Sequence, residues 1–274
     1  MHPLFKSVFV LSMLAPCFAT TANASPDDRY DCSDRASAIV KQAYPFARAF
    51  DGGFKVGESR IALPESGEAK SVSCRVWPSR PQLTLAAVPL IRSEDDEDSD
   101  GDIELLVLDS ANLALEGRLL LKNRAIEDAV RIKTIGFDTA NYRLAPDLQA
   151  FGLRIKRSNS SRLMPYEEEA LSLFTFTDGE ITSVLDGLLS QQNNMDSGFA
   201  DCEDQRTELA TELSMARTAH YGYRDIDVLV RESSARQIGT VGDCSEDDSH
   251  SLEHQQLIFD GTHYEIPKTM KAGR

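Results

Sequence analysis

From Ser71 onward the chain repeats one pattern: short runs in which apolar and polar side chains alternate, each closed by a turn. Val72, Cys74 and Val76 alternate with polar neighbours before Trp77-Pro78 turns the chain, and Leu83, Leu85 and Ala87 alternate again up to Pro89. A period of two puts every second side chain on one face of a strand, so such runs build sheets rather than helices. Val130, Ile132 and Thr134 continue the pattern against Arg131 and Lys133, as do Phe151, Leu153 and Ile155 against Gly152, Arg154 and Lys156. Residues 103–108 are apolar enough for a strand buried on both faces. Residues 171–176 and 181–185 flank Thr177-Asp178-Gly179, and Asp-Gly between two such runs is a strong hairpin signal. The expectation is a mainly β fold of antiparallel sheets, as propeller-like blades or a sandwich, with a short N-terminal helix.

That helix is read from Ala36, Ile39, Val40 and Ala43, the spacing of one helical stripe. Ser33 can cap it, and Pro45 stops it because the residue before proline is pushed out of the helical region. Residues 51–70, rich in Gly, Glu, Ser and Lys, read as exposed loops around a short strand at 59–63, with nothing catalytic among them. Residues 71–189 then form a first β module, 190–201 with Gln191-Gln192-Asn193-Asn194 a linker, and 202–267 a second β module. Within the second, 207–216 suits helix or strand, 225–231 is a strand, and a Ser- and Asp-rich stretch runs to His254. A second Asp-Gly hairpin follows at Asp260-Gly261, and residues 268–274 read as a frayed basic tail.

The two modules echo each other. Asp102-Ile103-Glu104-Leu105-Leu106-Val107-Leu108-Asp109-Ser110 aligns with Asp225-Ile226-Asp227-Val228-Leu229-Val230-Arg231-Glu232-Ser233. Each follows a cysteine and a Leu-rich segment, and each precedes an aromatic Asp-Gly hairpin. Self-similarity of this order predicts two related β modules and favours strand for 207–216.

Residues 1–24 have the features of an export signal: Lys6, a short apolar core at 8–15, and Ala22-Asn23-Ala24 before a cut at Ser25. Leu14-Ala15-Pro16-Cys17 offers a rival lipid-attachment box, weakened by Pro16 before the cysteine. No later stretch is long and apolar enough for a transmembrane helix. The resulting expectation is a periplasmic or secreted protein. Its four remaining cysteines, Cys32, Cys74, Cys202 and Cys244, predict disulfides in an oxidising compartment. Three connectivities are possible; Cys32–Cys74 with Cys202–Cys244 is favoured because each pair brackets one local segment. No Cys-x-x-Cys spacing points to redox catalysis or structural zinc.

The 274 residues carry 29 Lys and Arg against 44 Asp and Glu, a formal charge of −15. Such a surface repels phosphate backbones and anionic lipid heads, which argues against nucleic-acid binding. The acids are densest at 94–104. There Asp96, Asp98, Asp100 and Glu104 fall at loop positions one, three, five and nine, with Asp102 between them and Gly101 at the sharp turn. Calcium prefers six to eight oxygens of this kind, so the stretch is a candidate calcium loop, the one cofactor expected. An EF-hand would need a glutamate at position twelve, where Val107 stands, and flanking helices. The rival reading is a solvated acidic loop.

The loop running into Glu104-Leu105-Leu106-Val107 resembles the calcium loops of FG-GAP and VCBS repeats, the blades of integrin-type propellers. That resemblance covers about fifteen residues; His220-Tyr221-Gly222-Tyr223-Arg224-Asp225 keeps its strand half without the acids. Residues 74–189 resemble a group of uncharacterised exported proteobacterial proteins, which implies an envelope protein and brings no activity.

No nucleophile elbow, P-loop, dinucleotide fingerprint or zincin motif is present. His250 and His254 would share a helical face for a metal, although their polar surroundings read as a surface loop. The functional expectation is a non-catalytic binding or structural module of the envelope, its partner an envelope or extracellular protein or ligand. The alternative is an envelope hydrolase, whose site would show as a pocket lined by His220 or His263 with carboxylates.

Overall fold

The computed structural model describes residues 30–95, 98–197, 202–240 and 242–273. The expected export signal, Cys17 and Asp96 lie outside the described residues. Two antiparallel sheets of seven strands, with one short α-helix, account for the described fold. The first sheet holds β1 (Arg48–Phe50), β2 (Gly53–Val56), β3 (Ser59–Ala62), β4 (Ser73–Val76), β5 (Leu83–Glu94), β6 (Ser99–Asp109) and β7 (Leu115–Leu121). Its order is β1-β2-β3-β5-β6-β7, with β4 paired to β5. The second is a meander of β8 (Arg131–Ala145), β9 (Leu148–Ser158), β10 (Tyr166–Thr177), β11 (Glu180–Asp196), β12 (Gln205–His220), β13 (Tyr223–Thr240) and β14 (Asp243–Leu257).

Strand β6 is the hinge of the packing. Its apolar run is buried on both parities: Ile103, Leu105 and Val107 enter one core with Phe151, Leu153 and Phe174 of the second sheet. Leu106 and Leu108 enter another with Ile39 and Val40 of helix α1 (Ala36–Ala43). A continuous apolar strand is what a layer covered on both sides requires. The helical stripe Ala36, Ile39, Val40 and Ala43 is buried as its spacing predicts. Ser33 does not cap the helix; it lies in a 3-10 turn, and Asp31 accepts its N–H at 2.9 Å. Trp77, fully buried, meets Phe151 edge to face at 5.3 Å.

The sheets divide the chain between β7 and β8, whereas the sequence placed the break at 190–201. Residues 190–196 belong to β11, so the expected linker is largely strand. The two echoing segments are both strands preceded by an antiparallel Leu-rich partner, β5 for β6 and β12 for β13. They sit in different sheets, and the first Asp-Gly hairpin lies in the meander with the second copy. Asp178 (φ 52°) and Gly179 (φ 81°) turn that hairpin through the left-handed region, as the dipeptide predicts.

The Ser- and Asp-rich stretch is strand β14, exposed along most of its length. The C-terminal tail is not frayed. β12 pairs with β11 only over Gln191–Asp196, leaving the edge of 181–189 open, and the last residues cover it. Tyr264 N–H donates to the Val184 carbonyl, Ala272 N–H to Gly187, and Gly273 N–H to the Glu168 carboxylate. Met270 and Ala272 are buried there.

Disulfides join Cys32 to Cys74 and Cys202 to Cys244, each across 42 residues of sequence. The first ties the approach to α1 to β4. The second ties the start of β12 to the start of β14. Among the described residues no helix is long and apolar enough to cross a membrane. Together with the two disulfides, this is consistent with an exported protein.

Candidate functional site

The acidic stretch places its carboxylates in a row. Asp100, Asp102 and Glu104 alternate along β6, so all three project from one face of the sheet. Each has a partner within the protein. Arg92 of β5 grips Asp100 through Nε (3.0 Å) and Nη2 (2.8 Å) and reaches Asp102 with Nη1 at 2.5 Å. Asp102 also accepts the Asn123 N–H at 2.7 Å. Glu104 accepts the Tyr44 hydroxyl and pairs with Arg118 at 3.3 Å. The Arg92 grip holds the Asp100 carboxyl below the usual carboxylate range. Burial, with Glu104 alongside, pushes the Tyr44 hydroxyl well above the ordinary phenol range. Asp98 sits outside this row, its N–H donated to the Asp95 side chain in a tight turn. Among the described residues no group of three or more His, Cys, Asp or Glu side chains has metal-holding geometry.

The histidines stand apart from one another. Asp225, fully buried, accepts Nδ1 of His220 at 2.9 Å, so a buried carboxylate orients a half-exposed imidazole. Among the described residues no hydroxyl or thiol bonds the other nitrogen of His220. His263 pairs locally with Asp260, whose carboxyl the N–H of His263 and the neighbouring Thr262 lower to about 2. His250 and His254 are exposed on β14. Four residues of strand separate them by about 13 Å, too far to share one metal ion. His250 lines a shallow groove of about 530 Å³ that crosses β11 to β14 on the open face of the meander.

The most distinctive site lies where the sequence suggested exposed loops around a short strand at 59–63, which is β3 (Ser59–Ala62). Residues 53–62 form strands β2 and β3, which extend the first sheet beyond β5. Their register sets Arg48 of β1 opposite Lys55 of β2, Lys55 opposite Arg60 of β3, and Arg60 opposite Ile91 of β5. Three cations therefore form a ladder on one face of adjacent strands. Phe54 and Ile61 alternate with them and point the other way, into the core under α1. That alternation is what turns Lys55 and Arg60 outward.

Cross-strand neighbours have Cβ atoms about 4.5–5.5 Å apart, and like charges at that distance destabilise the pair. Arg60 is partly compensated by Glu68 and, at 3.6 Å, by Glu94. Arg48 and Lys55 are exposed and form no ion pair among the described residues. Phe50, two residues beyond Arg48, lies over Gly53: a Cβ there would stand 2.9 Å from the Phe50 ring and 2.2 Å from the Ile61 carbonyl oxygen. The glycine thus leaves room for the ring beside β2, with the Arg60 guanidinium 5.4 Å from its centroid. Together these residues line a groove of about 580 Å³, closed on one side by Ile91, Arg92, Ser93 and Glu94. Four of its lining residues are basic and two, Glu58 and Glu94, are acidic, the reverse of the balance in the whole chain.

Comparison of the chain with protein-family models, curated proteins and solved structures finds no match.

Proposed function

We propose that this protein is a non-catalytic, exported, β-rich binding module of the cell envelope that holds an anionic ligand on the Arg48–Lys55–Arg60 ladder. The observation that supports this reading is the ladder itself. Two cations without ion-pair partners among the described residues face each other on a sheet, in a chain of net charge −15. Such a placement costs stability, so a bound anion is its natural counterpart. The groove offers cations and an aromatic ring but no nucleophile poised beside a base, which favours binding over hydrolysis. The disulfides and the absence of a membrane-spanning helix among the described residues fit export.

Inorganic tripolyphosphate is a suitable probe, being pure charge with no apolar part. At low ionic strength, millimolar tripolyphosphate should raise the melting temperature of the wild-type protein. The double substitution Arg48→Glu with Lys55→Glu should remove the rise. No rise in the wild type, or an equal rise in the double variant, defeats the proposal.

A further inference from the structure

We infer that the ligand of the ladder is an amphiphilic organic anion, a flat or chain-like apolar body bearing one anionic head, rather than a bare inorganic ion. This rests on the reading of the groove as an anion site and goes further by naming what the anion carries.

The cations do not converge as they would around a small ion. Sites for phosphate or sulfate alone gather backbone N–H groups at a helix N-terminus or in a nest. Here β2 lies between β1 and β3, and Arg60 of β3 pairs with Ile91 of β5, so the sheet presents side chains to the ligand rather than a cluster of free backbone N–H groups. Those side chains come from three neighbouring strands, about 4.8 Å apart, and stand in a line. A head group lodged between Arg48 and Lys55 satisfies the two ladder cations that have no ion-pair partner among the described residues. The Arg60 guanidinium, already engaged by Glu68 and Glu94, remains over the Phe50 ring.

Beside the cations, and alongside Glu58, Ser93 and Glu94, the groove carries apolar surface. Phe50 keeps 39 % of its surface exposed, and beside it lie Ala49, Ile91 and the methylene stems of Lys55 and Arg60. Long basic side chains present such stems as apolar surface while their heads stay in water. A volume near 580 Å³ lies within the range of sites for drug-sized molecules. The acidic remainder of the surface disfavours a long polyanion but acts weakly on a single head group, because charges beyond about 8–10 Å are screened at physiological salt. An alkyl carboxylate or phosphate derived from lipid and a free aromatic sulfonate or carboxylate share this chemistry.

The probe is 8-anilinonaphthalene-1-sulfonate, followed by its fluorescence on the folded full chain, with dodecyl phosphate and naphthalene-2-sulfonate as competitors. One dye should bind per chain. Phe50→Ala should weaken it roughly tenfold while leaving the response to tripolyphosphate unchanged. Lys55→Glu should weaken both. Displacement by dodecyl phosphate alone assigns the lipid-derived class, and displacement by naphthalene-2-sulfonate alone the aromatic class; either supports the inference. Dye affinity unchanged in Phe50→Ala or in Lys55→Glu overturns it, and so does displacement by neither competitor. If tripolyphosphate binds and the dye does not, the anion site stands and this inference falls. If neither binds the ladder, both fall. Circular dichroism of each variant separates loss of binding from loss of fold.

Discussion

Lys55 lies directly across from Arg60 in the antiparallel register of β2 and β3, and directly across from Arg48 on its other side. A sheet selected for stability alone would alternate charge at these positions, since opposite charges across a pair contribute roughly 0.2–1 kcal/mol and like charges cost a similar amount. Replacing the middle cation turns two repulsions into two attractions.

Lys55→Glu is therefore expected to stabilise the unliganded protein by about 0.5–1 kcal/mol while it destroys anion binding. Urea unfolding with and without tripolyphosphate measures both effects. A variant that loses stability in the absence of ligand would show that Lys55 makes a favourable contact in the fold. The expected gain should shrink at high salt, because Lys55 is exposed.

This site was not legible in the sequence, and the reason is register. Arg48, Lys55 and Arg60 are scattered basic residues until two tight turns bring them level; the strand at 59–63 was legible, but its partners β1 and β2 are too short and polar to declare themselves. The buried strands were legible, because the two-face pattern of 103–108 and the alternation at 151–155 follow directly from how sheets pack. Strand β14 was not, since it is exposed along most of its length and carries no apolar alternation to reveal it. The hairpin at Asp178-Gly179 was read correctly from its dipeptide. The one between β12 and β13 was not, because Tyr221 (φ 49°), rather than Asn or Asp, takes the left-handed position before Gly222. The acidic loop was conspicuous in sequence, yet the cation that takes Asp100 and Asp102 comes from a neighbouring strand.

Asp225 supplies a pH dependence. Burial pushes its carboxyl up, but bonds from Thr218, His220 and the Phe259 backbone outweigh this and hold it below the usual 3.8. A carboxyl depressed in the folded state contributes stability that is fully present above the unfolded value. That stability is lost as the pH falls through the lowered one. Asp225→Asn should cost about 1–3 kcal/mol at neutral pH, by weakening the bonds of a buried acceptor. It should also flatten the decline in melting temperature below pH 4. A parallel decline in variant and wild type would place the acid sensitivity elsewhere, with Asp138 the next candidate because Ala140, Tyr142 and Arg154 lower it against its own burial.

The Cys202–Cys244 bridge closes the outer end of β12 to β14, where side chains are largely exposed and little apolar burial holds the strands together. Replacing both cysteines with serine should cost about 2–4 kcal/mol, as expected for a loop of this length. The loss should be local. Amide hydrogen exchange is expected to rise in residues 232–255 and to stay slow in β5 and β6, whose protection comes from two buried cores. Equal acceleration in both sheets would mean that the meander and the first sheet unfold as one unit.

Calcium and Arg92 would compete for the same two carboxylates. Asp100 and Asp102 belong to the set that the sequence offers for calcium, and both are bonded to the Arg92 guanidinium. An ion entering the loop must displace a cation already held by three hydrogen bonds, so its binding energy is offset by the loss of that pair. Wild-type protein is accordingly expected to melt at the same temperature in millimolar calcium and in chelator. Arg92→Ala frees both carboxylates and leaves two negative charges a strand step apart, a state that calcium relieves. The variant should melt below the wild type in chelator and recover part of the difference in calcium, with no recovery in sodium at equal ionic strength. A calcium-dependent rise in the wild type would show that the loop binds the ion without surrendering Arg92. Absence of recovery in the variant would show that the carboxylates of β6 serve Arg92 alone.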